Sequence, residues 1–443
     1  MGKNALATST LLAFAAPAAP IAGLGLPLVV HLPPFYAEDM ELGLTVVGTV
    51  FMLTRLYDVV VDPVLGVLSD KMHTRWGRRR PWLVLSVPIL VFSTYKVFMP
   101  AAPTSTAYLL FWLVILYAGW SLLTIAHLSW GAELTGDYHE RSRVQAAREM
   151  FLIAGMITVL ALPAVIEQSG GSAPARVGAM GWFIIALLPL TIGLAVLRVP
   201  ERPTPASSHV GWRRAASIIA ENRPLRRLLF LDLVGGIAGG ILAALFIFIA
   251  TDELGLGRAA SLLLLFYFVS GCLFVPLMVR VSYRFGKHRT LAGSATFNAL
   301  ALPLVFVIPH GNLLAAAAIF VLWGVNMGVG PFLFRSIMAD VADHDRIESG
   351  AQRTGLYFSL LTMTNKLGYA LAIGIVYPLL DWIGYVPGGV NSEAAIAGLA
   401  SIYVWPPALC SLLVAVLMWN YPLDESRQQE MRRIIEEREA QSA

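Results

Sequence analysis

Charge is scarce in this chain. Lys, Arg, Asp and Glu supply 14% of its 443 residues, where a soluble domain carries roughly a quarter. The apolar share of 57% is more than a water-soluble fold can bury. Cysteine is nearly absent: Cys272 and Cys410 both fall inside apolar runs, which excludes a disulfide or zinc framework and leaves them as small core residues. The short connections hold no P-loop, paired-histidine motif, nucleophile elbow or dinucleotide fingerprint. An enzyme, or a protein with a resident cofactor, is therefore not expected. The formal charge of +4 does not point to nucleic acid either, because the basic residues lie in short connections between apolar runs, where membrane topology accounts for them.

What is present is a series of apolar runs, each near the length of about 20 residues needed to cross a hydrocarbon layer. The runs predict twelve spans: 8–32, 43–69, 81–100, 106–132, 147–167 and 178–198, then 225–250, 257–281, 290–308, 312–338, 354–380 and 396–420. The first run is too long for a signal-peptide core and has only Lys3 before it, so it reads as a retained helix. The fold class expected is an all-α membrane protein of two pseudo-symmetric six-helix halves, 1–198 and 225–420. A polar linker at 199–224 and a charged tail at 421–443 complete it. Lys and Arg crowd alternate connections, with Lys71, Arg75, Arg78, Arg79 and Arg80 after span two and Arg280, Arg284, Lys287 and Arg289 after span eight. That bias places both termini in the cytoplasm and the chain in the cell (inner) membrane. An internal repeat supports the two halves. Arg75-Trp-Gly-Arg-Arg-Arg80 is answered by Arg284-Phe-Gly-Lys-His-Arg289, and Ala132-Glu-Leu by Ala339-Asp-Val, at spacings equal to within two residues. Transporters built from repeats hold their substrate between the repeats near mid-membrane.

The most concentrated chemical signal is Arg55-Leu-Tyr-Asp58-Val-Val-Val-Asp62-Pro63. Asp58 and Asp62 are four apart, hence on one face of span two. Two buried carboxylates persist only where a cation, a proton or a basic partner satisfies them, so a coupling-ion site is the functional reading. Against it stands a structural one, in which Asp62 caps a proline-broken helix and Asp58 pairs with Arg55. Lys366 lies near the middle of span eleven and needs an anionic partner. The two aspartates are the candidates, which gives Lys366 a coupling role, the alternative being a purely structural ion pair. Asn365 and Tyr369 stand beside it as candidate substrate contacts. Arg148 at the start of span five is placed at the inner mouth of a cavity, whereas Asp232 early in span seven reads as structural, near a helix end. Trp120, His127 and Trp130 on span four offer stacking and hydrogen bonding to a ligand, although such aromatics are as often core or lipid-facing. In the connection after span two, Asp70, Arg78 and Arg79 form a candidate cytoplasmic gate, with Glu133 and Asp340 as partners.

At these residues the sequence resembles the glycoside-pentoside-hexuronide:cation symporter family of the major facilitator superfamily. The marks are Arg55-Leu-Tyr-Asp58 through Asp62-Pro63, Gly66, Ser69-Asp70, Gly77-Arg-Arg-Arg-Pro81-Trp82, Glu133-Leu-Thr, Ala339-Asp340-Val and Arg353-Thr-Gly355. The resemblance implies that Asp58 and Asp62 are cation-site carboxylates and that Ser121 supplies a hydroxyl ligand. It also implies that Lys366 is the family's span-eleven lysine and Arg148 its arginine near the sugar. The departures concern the substrate. Where the family's melibiose carriers hold a sugar-binding Asp on span one, this chain has Ala18 and Ala19; a second Asp, on span four, is replaced by Thr124, and an Asn on span two by Val61. A proton needs no coordination shell, whereas Na⁺, the metal ion the site would take, needs Ser121, Thr124 and water to complete one.

The expected function is symport of a sugar, glycoside or related small organic solute with H⁺ or Na⁺, by a monomer surrounded by lipid and without nucleic acid. A lipid-like substrate is a second transport reading, and a non-transporting receptor on the same fold is a third. The topology has a direct check. Cysteines placed at Ala102 and Gly389 are expected to react with an impermeant thiol reagent added outside the cell, and one at Ser207 is not. The reverse labelling pattern would invert the orientation.

Overall fold

The structure is a computed structural model that describes residues 6–71, 74–134, 138–201, 218–327, 329–349 and 354–423, with 427, 430, 431, 433 and 434 from the tail. Among the described residues, twelve helices are long and apolar enough to cross a membrane. They are α1 (Thr8–Glu38), α2 (Leu44–Lys71), α3 (Arg80–Phe98), α4 (Thr106–Glu133), α5 (Tyr138–Gln168) and α6 (Ala173–Arg198). There follow α7 (Arg223–Phe248), α8 (Ala260–Phe285), α9 (Lys287–Ala301), α10 in two pieces (Leu313–Gly324 and Val329–Ser349), α11 (Thr354–Trp382) and α12 (Glu393–Trp419). In hydrocarbon every backbone group must be satisfied internally, and a helix achieves this for all but its ends. Those ends are capped by side chains. Ser105 accepts from the Tyr108 amide at 3.2 Å, Asn222 from Leu225 at 2.9 Å, Asn312 from Ala315 at 3.0 Å and Ser392 from Ala395 at 3.2 Å. Pro81, Pro174 and Pro224 occupy first turns, where a missing N–H costs no helical bond.

Three boundaries depart from the sequence expectation. The first span runs on from residue 32 to Glu38, through a π-helical turn at Pro27–His31, because Pro33 and Pro34 start a fresh helical segment. The fifth begins as a helix at Tyr138, since its polar first turns continue the same helix beyond the apolar run. The tenth breaks after Gly324 and then extends to Ser349. Asn326, at the break, is held by α9. It accepts from Ser294 Oγ at 2.6 Å and donates to Asn298 Oδ1 at 2.7 Å, so irregular backbone is tolerated there. Of the linker, residues 202–217 lie outside the described residues, as does most of the tail. Cys272 and Cys410 are half-buried, free cysteines within α8 and α12.

The chain divides into two compact units. One holds Met1–His209 with Arg258–Leu265 and Tyr377–Asn391; the other holds Val210–Gly257, Phe266–Val376 and Ser392–Ala443. The first turns of α8 and the end of α11 thus belong with the N-terminal spans. Specific bonds hold them there: Thr45 Oγ1 donates to Asp381 at 2.6 Å, and Ser261 donates to Glu167 through its hydroxyl at 2.6 Å and its amide at 2.9 Å. Within the first unit, α2 and α3 both pack on α4, and α1 packs on α5 so closely that Gly155 lies against the Ala19 backbone. In the second unit α12 packs on α7 and α9, and α7 meets α11 glycine to glycine at Gly236 and Gly368. Small residues allow such approach in membrane helices, where packing and not apolar burial drives association.

A side chain at these contacts has nowhere to go. A Cβ on Gly368 would sit 2.7 Å from the Leu233 carbonyl oxygen, and one on Gly155 would strike backbone of Ala19, whereas Gly193 has open space. Gly368→Ala and Gly155→Ala are expected to destabilise the purified protein by about 1–3 kcal/mol, as overpacking does. Gly193→Ala should be neutral or slightly stabilising. Thermal unfolding in detergent distinguishes the three.

Candidate functional site

The two carboxylates of α2 face α4. Asp58 is 1% exposed, and its Oδ1 accepts a hydrogen bond from Ser121 Oγ at 2.5 Å. Thr124 follows Ser121 by three residues, on the same face of α4, and its buried hydroxyl has no hydrogen-bond partner. Asp62, one turn beyond Asp58, is partly buried. Arg55 does not pair with Asp58 as the structural alternative required. Its guanidinium lies over the Tyr117 ring at 4.9 Å and the Trp120 ring at 5.7 Å, a cation–π arrangement. The structure therefore brings together Asp58, Ser121, Thr124 and Trp120 around one segment of α2, and adds Tyr117, which the sequence did not single out. A hydroxyl donor, a second hydroxyl on the same face of α4 and two carboxylates line this segment with oxygen.

His127 and Trp130 lie further along α4, and here the expectation of an open ligand surface is corrected. Both are fully buried. Phe14 of α1 stacks on the His127 ring at 4.6 Å and meets Trp130 edge-on at 6.2 Å. His127 Nε2 lies 2.8 Å from the Phe14 carbonyl oxygen. A carbonyl only accepts, so Nε2 carries the proton and Nδ1 a lone pair. The two rings fill the α1–α4 contact. Arg148 is 8% exposed, its guanidinium 3.5 Å from the Glu149 carboxylate.

At the end of the bundle that carries the 72–80 connection, Arg79 is the hub. Its Nη2 is 2.6 Å from Glu133 and its Nη1 donates to Ser69 at 2.7 Å, while Arg78 reaches Glu133 at 4.0 Å. The side chain of Asp70 lies outside the described residues. Asp340 belongs to the other unit and pairs with Lys287 at 2.7 Å, the position that answers Arg78 in the repeat. Sequence reasoning missed Glu201. Its carboxylate accepts from the amides of Arg78 at 2.5 Å, Arg79 at 2.6 Å and Arg80 at 3.3 Å, capping the N-terminus of α3. Gly77, at φ +117°, makes room for it, since a Cβ there would overlap the carboxylate. The only signal was an acidic residue directly after a membrane span.

In the second unit, Lys366 and Asn365 lie on α11 beside Thr364, and the Tyr369 ring packs against Gly239 and Gly240 of α7. Asp232 is 5% exposed and accepts from Thr364 Oγ1 at 2.7 Å. It is not the water-reaching group near a helix end that its position suggested. A further buried carboxylate, Glu167 at the end of α5, pairs with Arg176 at 2.9 Å in addition to Ser261. Close by in sequence to the α1 terminus, burial raises the Asp39 carboxyl above its usual range, with the charge of Arg176 acting the other way. Among the described residues no three His, Cys, Asp or Glu side chains gather as a metal cage.

Twelve membrane helices and the likenesses below make this chain a membrane transporter, not an enzyme. The whole chain is similar to the nucleoside transporter NupG in fold, with a TM-score of 0.68 at 14% identity, covering 94% of this chain and all of that one. Residues 13–425 match the family described as MFS/sugar transport protein, so the chain belongs to that family, the glycoside-pentoside-hexuronide:cation symporters of the major facilitator superfamily. Among its relatives, the isoprimeverose transporter of Lactiplantibacillus pentosus is 24% identical, over 89% of this chain and 84% of the relative. The glucuronide carrier protein homolog of Escherichia coli (strain K12) is 25% identical, over 90% and 88%. The sodium-dependent lysophosphatidylcholine symporter 1 of Gallus gallus is 21% identical, over 92% and 83%.

The Glu201 cap has a measurable consequence. Glu201→Ala is expected to speed hydrogen exchange at the amides of Arg78, Arg79 and Arg80 and to cost about 0.5–2 kcal/mol of thermal stability, the range for a lost helix cap. Unchanged exchange would mean that the carboxylate does not hold this connection.

Proposed function

We propose that this integral, multi-pass transporter is a cation-coupled symporter of a sugar, glycoside or related small organic solute, working by alternating access. The coupling ion, H⁺ or Na⁺, sits at Asp58, Asp62, Ser121 and Thr124. The observation that carries this reading is the Ser121–Asp58 bond, with the Thr124 hydroxyl one turn away on the same face of α4. Arg148 and Trp120 are the substrate contacts of the first unit and Asn365 and Tyr369 those of the second, and Lys366 has the coupling role. Arg78, Arg79 and Glu133 close the cytoplasmic side, with both termini in the cytoplasm of a cell (inner) membrane. The isoprimeverose and glucuronide relatives support a glycoside-like substrate. A lipid-like substrate is the second reading, favoured by the apolar α1 at Ala18 and Ala19 and by the lysophosphatidylcholine relative.

Purified protein in proteoliposomes, screened against sugars, glycosides and lysolipids under Na⁺ and H⁺ gradients imposed separately, tests the reading. Asp58→Asn and Asp62→Asn are expected to abolish uphill accumulation while allowing exchange, because an amide can neither release a proton nor balance a cation. Lys366→Ala should uncouple accumulation from the gradient. Wild-type accumulation by either aspartate variant would remove the ion-site assignment, and uptake of lysolipid alone would select the second substrate class.

A further inference from the structure

Asp232 is a buried carboxylate that the transport reading above does not use. It lies nine residues into α7, about 14 Å along the axis from Arg223 at 1.5 Å per residue, and is 5% exposed. A carboxylate at such a place ordinarily carries an ion partner, yet among the described residues no Lys, Arg or His lies within ion-pair distance of it. Its bonded neighbours are neutral: Thr364 Oγ1 at 2.7 Å and the Asn365 side chain, both from α11.

We propose that Asp232, with Thr364 and Asn365, is a proton-binding site of its own in the second unit. The geometry of Thr364 makes this possible without breaking any bond network. Its hydroxyl has one proton and three acceptors in reach: Asp232 Oδ2 at 2.7 Å, the Leu361 carbonyl at 3.0 Å and the Leu360 carbonyl at 3.2 Å. With Asp232 ionised, Thr364 donates to the carboxylate. When one proton from water adds to Oδ2, the new acid O–H donates to Thr364 Oγ1, and the threonine proton turns to the Leu361 carbonyl. Both charge states are therefore fully hydrogen-bonded, which a salt-bridged aspartate could not offer. One carboxylate, one hydroxyl and one amide also supply fewer oxygens than a hard metal cation requires.

The charges facing the site are few. From α10, Arg335 acts at long range only. On α11, Lys366 is two residues past Thr364 and so off its face of the helix. From α12, which packs on α7, the charged residue is Glu393 at its far end, with Tyr403 and Cys410 as its other titratable groups. Because α7 and α11 touch at Gly236 and Gly368, protonation at Asp232 acts at the junction of two helices, one of which carries Lys366. The site is independent of which ion occupies Asp58 and Asp62.

Infrared difference spectroscopy on the full chain reconstituted in lipid, stepped between acidic and neutral pH without substrate, reads the site directly. Wild type is expected to show the carbonyl stretch of a buried protonated carboxylic acid. Asp232→Asn should remove one component of that band, and the same component should persist in Asp58→Asn and in Asp62→Asn. Thr364→Val should retain the band but shift it to higher frequency, as an acid that has lost its hydrogen-bond acceptor does. This second variant also serves if Asp232→Asn fails to fold. A band unaltered in both Asp232→Asn and Thr364→Val overturns the proposal. So does a change in the Asp232 component that follows added Na⁺ at constant pH in the Asp58→Asn variant, which would make this second site a sodium site.

Discussion

An ionised group in hydrocarbon must find a partner inside the protein, and the polar organisation of this molecule follows from that requirement. At least about 2.5–3.5 kcal/mol is at stake for each uncompensated charge on insertion scales. Four of the described buried carboxylates are each met by a different device. Asp58 is met by a serine hydroxyl, Glu167 by an arginine and the start of α8, Asp340 by a lysine, and Asp232 by neutral donors of α11. The devices separate by location. Full ion pairs occur near the ends of the helices, where they fix connections. Hydroxyl donors, Ser121 to Asp58 and Thr364 to Asp232, occur further inside the helices.

The same requirement shapes the backbone. Side-chain caps at Ser105, Asn222, Asn312 and Ser392 satisfy the amides that helices leave open. Where a helix is interrupted inside the membrane, as at Asn326, a neighbouring helix supplies the missing bonds. Glu201 extends the principle to a loop, since one carboxylate takes up three successive amides and thereby orients Arg79 toward Glu133. A basic connection that topology alone would explain is thus also a folded structure.

Asp58 shows how far a sequence can be read. Its spacing from Asp62 required a shared helix face and an ion-binding function was inferred from cost alone, but the partner on α4 came into view only through the family resemblance. The resemblance pointed to Ser121, and the fold places that hydroxyl at bonding distance. His127 and Trp130 show the opposite case. Aromatic residues on a membrane helix carry no mark that separates a ligand surface from packing, and contact with Phe14, more than a hundred residues away, decided for packing. Asp232 was taken as a residue of a helix end because sequence gives depth only along one helix. Its burial is a property of α7 against α11.

The sequence by itself determined the class of protein, the twelve spans, the repeat and the carboxylate pair, because hydrophobic length, charge placement and helical spacing are local and act on every chain alike. Only the tertiary structure decided which hydroxyl meets Asp58, which carboxylate caps α3, and how Thr364 can serve two states of Asp232. Those choices depend on the approach of helices distant in sequence. That approach is set by small residues such as Gly155, Gly236 and Gly368, whose role appears only once the facing backbone is in place.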